Sequence, residues 1–174
     1  MTRTVVLGEP PAPLAEWLER RRELGQDVFD EVWEGQYHVA PAAHAWHGDV
    51  DEQVAAALRP RARRQGLWPS GPVNIGEPED YRVPDRVYLR HRAGVVFVPT
   101  AEIVVEIVSP GDESYEKLSF YLARGVAEVL IVDPPRRSVQ WYARSADAFE
   151  RTSGSPLLEL TEVDLAAEID WPAA

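Results

Sequence analysis

The chain has 174 residues, 45% hydrophobic and 27% charged, the size and mix of an ordinary soluble domain that can close one core. Its net charge of −11 argues against indiscriminate nucleic-acid binding, which needs positive surface, while leaving room for a local basic groove. The absence of cysteine excludes disulfides and thiolate metal sites and suits a reducing cytoplasm; the N-terminus lacks the apolar core of a signal peptide, and no apolar run is long enough to cross a bilayer.

Residues 11–24, PAPLAEWLERRREL, open on proline and space Leu14, Trp17, Leu18 and Leu24 for an amphipathic N-terminal helix. In DVFDEVWEGQYHVAP, Val28 and Val32 alternate with Phe29 and Trp33 ahead of a Glu34-Gly35 turn, the pattern of a β-hairpin. Residues 47–65 read as a helix with a break or kink at Pro60, and its second half carries Arg59, Arg61, Arg63 and Arg64. GPVNIG and YRVPDRVYLR follow as short strands. EIVVEIVS is β-branched nearly throughout and is expected to be the central strand.

DESYEKLSFYLARG predicts a helix capped near Gly125, and AEVLIVDPP a second buried strand. SVQWYARS predicts another, on which Trp141 and Tyr142 suit core or interface packing better than base stacking. The tail shows weak strand signals in PLLEL and an ordered end at Trp171. No repeat, linker or low-complexity segment divides the chain. The expectation is one domain over 1–174, with an N-terminal helix at 11–24, a core of about 28–144 and an extension at 145–174. The order α-ββ-α-βββ-α-ββ describes an α/β (α+β) fold, a mixed β-sheet flanked by helices.

Two carboxylates and one ammonium stand out. Glu106 interrupts the most apolar strand, on the same face as Val104, where an ionised carboxylate needs a partner. Asp85 begins the preceding strand. If both strands aim their carboxylates at one point, the result is a hard oxygen site of the kind Mg²⁺ favours, completed by water and substrate phosphate. Lys117 is the only lysine, against seventeen arginines, and could orient water or steady charge on a phosphate. The same residues also read blandly: Asp85 as a turn residue, Glu106 at an edge reaching water, and Lys117 paired with Glu113 at i, i+4 on a helix surface.

The segments FDEVWEGQYHVAPAAHAWHGD, YRVPDRVYL and AEIVVEIVSPGDESYEKLSFYLARGVAEVLIVDPPRRSVQWYAR together resemble the Uma-two family of restriction-endonuclease-like proteins, within the PD-(D/E)xK nuclease superfamily. The resemblance implies a four-stranded mixed core sheet with flanking helices, and a Mg²⁺-dependent (Mn²⁺-tolerant) phosphodiesterase acting on DNA as a homodimer. Pro84-Asp85 matches the PD element and Glu106 the (D/E), so Asp85 and Glu106 are implied as metal ligands. Val108 stands where the superfamily pattern has lysine, and Lys117 on the following helix fills that role. Gln36 replaces the acid of the family's Asp-Gly-Glu hairpin, with Glu31 or Glu34 as substitutes if a third acid is needed. His47 matches a histidine at the start of the next helix, where a local hydrogen bond is the alternative role. His38 and His44 have no spacing that suggests zinc.

Arg59, Arg61, Arg63 and Arg64 are candidate DNA contacts or a solvated helix face. The first functional expectation is therefore a Mg²⁺-dependent DNA endonuclease. The alternatives are a catalytically weak nuclease-fold module acting through protein–protein interaction, which the charge of −11 and Gln36 favour, and a small-phosphoester hydrolase.

Overall fold

The two most apolar stretches of the chain form its two most buried strands. A computed structural model describes residues 4–109 and 113–172. In chain order its elements begin with β1 (Thr4–Val6), α1 (Ala12–Glu23), β2 (Glu31–Trp33), β3 (Gln36–Val39) and α2 (Ala45–Arg64). There follow β4 (Trp68–Ser70), β5 (Asn74–Glu77), β6 (Asp80–Arg82), β7 (Arg86–Leu89), β8 (Phe97–Val98) and β9 (Ile103–Ile107). After α3 (Leu118–Ala123) come β10 (Glu128–Asp133), β11 (Ser138–Arg144), β12 (Phe149–Thr152), β13 (Gly154–Ser155), β14 (Leu160–Thr161) and α4 (Glu162–Glu168).

The strands form two mixed six-stranded sheets and a small ribbon of β13 with β14. One sheet is ordered β12-β11-β10-β9-β7-β4, the other β1-β3-β2-β6-β5-β8. β9 and β10 run parallel, are buried along their whole length and sit at the centre of the first sheet, as a two-sided apolar strand must. One face of that sheet packs on α2 and α4 through Val54, Leu58, Val105, Leu130, Trp141 and Leu165. Its other face meets α3 and the second sheet through Ile75, Val104, Phe120, Tyr121 and Ile131. α2 owes its place to an apolar stripe of Val50, Val54, Ala57, Leu58 and Ala62, while Pro60 lies inside the helix on its exposed side.

The predicted hairpin is present as β2 and β3. Glu34 and Gly35 both adopt positive φ, at 49° and 82°, as a tight two-residue turn between twisted strands requires. Four expectations need correction. The hairpin starts later than its alternation suggests, because Val28 and Phe29 lie outside it and are exposed. YRVPDRVYLR is two strands, in different sheets: Pro84 has no N–H to continue a ladder, and the chain crosses between the sheets at Val83-Pro84-Asp85. The predicted helix over DESYEKLSFYLARG shrinks to α3, with Lys117 as its N-cap; the predicted start at Asp112 lies outside the described residues. Finally, the implied four-stranded sheet is six strands wide and is joined by a second sheet, built largely from two- to four-residue strands too short to show a period.

Candidate active site

The central face of the first sheet carries one carboxylate, and the second sheet supplies another opposite it. Glu106 follows Val104 on the inner face of β9 and is 3% exposed. Glu31, the first residue of β2, is fully buried. The chain's single lysine lies between them. Lys117 Nζ donates to Glu106 Oε1 and Oε2 at 3.1 and 3.0 Å, and is 2.9 Å from Glu31 Oε1.

Each carboxylate is also held from its own side. Glu31 Oε2 accepts from Trp33 Nε1 at 2.7 Å, and Glu31 Oε1 accepts the Val83 N–H at 2.9 Å. Glu106 Oε1 accepts from the Tyr121 hydroxyl, one turn beyond Lys117. Trp33 stacks on His38 with ring centroids 4.6 Å apart, and His38 Nδ1 lies 3.3 Å from Glu113 Oε2.

Asp85 stands at the mouth of this group, partly exposed. Its Oδ2 accepts the Ile107 N–H at 2.6 Å, which seats the carboxylate against the peptide that follows Glu106. Its Oδ1 is 3.2 Å from His47 Nε2. His47 and Asp51 share one face of α2, and the next residue of the crossing, Arg86, donates to Asp51 with Nη2 at 2.7 Å. Asp85 and Arg86, at the entry to β7, are thus each tied to α2 one helical turn apart, and the start of α2 is fixed over Asp85.

Two carboxylates share one ammonium, and the charge of Asp85 also reaches Glu106, so the centre is short of positive charge. Burial, with the charges of Asp85 and Glu31 nearby, pushes Glu106 up to about 8 despite Lys117 and the Tyr121 hydrogen bond. Tyr121 is raised well above the usual phenol range by burial and by Glu106 and Glu31. Among the described residues no three His, Asp or Glu side chains are grouped to hold a metal unaided. Mg²⁺ takes one or two hard carboxylates and leaves its remaining positions to water and phosphate, and Asp85 and Glu106 are the carboxylates that would serve it here.

A family described as "Uma2: Putative restriction endonuclease" matches residues 15–173. The chain belongs to the Uma2 family. A crystal structure described as a "putative nuclease belonging to DUF820 from Anabaena variabilis ATCC 29413" superimposes with a TM-score of 0.61. It covers 80% of this chain and 90% of that one, at 16% identity, and so speaks for a common nuclease-like fold. No curated protein sequence matches the chain.

Of the residues expected from the Uma2 resemblance, Asp85, Glu106, Lys117, His47 and Glu31 converge and Glu34 does not, and the arginines read from the charge run on α2 also lie apart from the group. Glu34 is exposed on the hairpin turn, and among the described residues its side chain has no bond to the group. Glu113 pairs with His38, and Lys117 turns inward to Glu106, so the surface i, i+4 pairing does not describe Lys117. Tyr121 and Trp33 also belong to the group, beyond the residues that the sequence singles out. Tyr121 follows Lys117 by four residues, one helical turn, which was the available signal. Trp33 follows Glu31 by two along one strand, hence on the same face.

Proposed function

We propose that this Uma2 protein is a Mg²⁺-dependent endonuclease that hydrolyses DNA phosphodiester bonds at the Asp85–Glu106–Lys117 centre, with Mn²⁺ as a substitute ion. The observation that carries the reading is the convergence of the single lysine on Glu106 and Glu31, beside Asp85. The family's description as a restriction endonuclease supports it. Asp85 and Glu106 would hold the ion, which supplies Lewis-acid polarisation of the phosphate when bound.

The chain's own groups do the rest. Lys117 Nζ has its donors aimed at Glu31 and Glu106, so its position is set by two fixed carboxylates before any substrate arrives. From there it steadies charge on a phosphate or moves a proton to or from water. Glu31 and Tyr121 are positioning residues, one holding the ammonium and the other the carboxylate of Glu106. His47 holds Asp85 at the entrance. Cleavage of both strands calls for two such centres, and the proposal extends to a homodimer.

The test is cleavage of plasmid and single-stranded DNA with Mg²⁺ or Mn²⁺ by the wild type, Glu106→Ala and Asp85→Asn. We expect each variant to lose about 10²–10⁴-fold in rate. Activity that survives both substitutions would place the chemistry elsewhere. Failure of the wild type to cleave would favour the protein-interaction module.

A further inference from the structure

The arginines of α2 part company in the structure. Arg61 turns back to the body, donating to the Ala57 carbonyl at 2.7 Å and to Glu168 at 2.9 Å. Arg59 and Arg63, at i, i+4, instead face an open cleft of about 460 Å³ that Arg92 enters from the loop after β7. Trp68, on the edge strand β4, lies between two of these cations. Arg63 Cζ is 3.8 Å from its ring centroid and Arg92 Cζ is 4.1 Å away. Leu89 and Val73 form an apolar floor.

No acidic side chain among the described residues lines the cleft. Nor is any of the three arginines in an ion pair with a described residue, although the chain has 29 acids against 18 bases. Three guanidinium groups gathered without a counter-charge repel one another, and the cation–π contacts offset only part of that. All three are exposed, and together they make a positive surface that attracts an anion. Guanidinium forks match phosphate oxygens in pairs, and the volume suits a ligand of nucleotide size with its sugar or base against the floor.

We propose that the Arg59–Arg63–Arg92 cleft binds the phosphate of a nucleotide. Leu89 closes β7 on this side and Asp85 precedes its first residue on the other, so four strand steps, about 13 Å, separate cleft and carboxylates. That is about four base-pair rises along the axis of a DNA duplex. A strand entering at Asp85 would lay a phosphate here, a form of the proposal that rests on the nuclease reading. A free mononucleotide would use the same groups and does not depend on that reading.

The experiment measures binding of a short labelled single-stranded oligonucleotide by fluorescence anisotropy, and of dAMP by calorimetry, with EDTA present. Wild type is compared with Arg59→Gln/Arg63→Gln/Arg92→Gln, whose fold is checked by circular dichroism. For a strand, we expect the variant to bind the oligonucleotide at least about tenfold more weakly. Its dependence of log affinity on log salt should flatten by about two, three contacts at roughly 0.7 each. For a free nucleotide, dAMP binding to the wild type is lost in the variant. Equal binding of both probes by the two proteins, or no binding of either probe by the wild type, overturns the proposal. Because no divalent ion is present, the result is independent of cleavage, whose failure would overturn only the nuclease reading.

Discussion

Lys117 has about one-twentieth of its side chain exposed and sits between two carboxylates that are exposed even less. Removing one member of such a buried charge group leaves the others uncompensated, which typically destabilises by about 3–5 kcal/mol. Lys117→Met should therefore lower the urea midpoint by a corresponding amount and abolish cleavage. Glu31→Gln combined with Lys117→Met should recover part of the stability and none of the activity. A Lys117→Met variant as stable as wild type would mean that the ammonium is not the charge that keeps Glu31 inside. Much of this residue-scale picture was legible beforehand, because a glutamate in a β-branched strand demands a partner and one lysine stood close in sequence. Glu31 could not be told from Glu34 in the same way. Their identical side chains differ in what the hairpin does with them: Glu31 is on a paired strand facing inward, and Glu34 is on the turn.

At the scale of elements, long periodic segments were readable and short ones were not. α2 and β9 carry enough buried apolar residues to show their period. β13, β14 and α4 span two to seven residues each and depend on packing against the main core, so local pattern did not announce β13 or α4, and of the weak strand signal in PLLEL only Leu160 is strand, in β14. The continuous alternation of YRVPDRVYLR concealed its division between two sheets. Gly76 shows how tightly the second of those sheets is closed. It has φ of 120° on β5, opposite Tyr81, and a Cβ there would lie 2.3 Å from the Asp80 carbonyl oxygen and 3.1 Å from the Phe120 ring. Gly76→Ala should cost at least about 1–3 kcal/mol from backbone strain, with the steric clash added. A thermal melt indistinguishable from wild type would show that β5 and β6 can separate freely.

For the whole molecule, the buried carboxylate couples folding to pH. Glu106 goes from an ordinary value of 4.5 in the unfolded chain to about 8 in the folded one. The folded state binds this proton more tightly, so the contribution to stability is fully present below 4.5 and is lost as pH rises toward about 8. The metal-free protein should thus lose urea resistance across that window, and Glu106→Gln should flatten the profile. A window in which wild type and Glu106→Gln show the same profile would show that Glu106 is ionised in the fold. Among the described residues no helix is long and apolar enough to cross a membrane.

The crossing at Val83-Pro84-Asp85 joins these scales. Within three residues it gives an N–H to Glu31 of one sheet and takes an N–H from Ile107 of the other. The crossing is therefore a seam through which each sheet senses the register of its neighbour. A one-residue slip in β6 or β7 would displace both halves of the acidic centre at once. The centre comes into being only after residues far apart in sequence have docked, so a partly folded chain carries its pieces without the assembled group. Amide exchange at Val83 and Ile107 should then slow together, as one event, when the two sheets close.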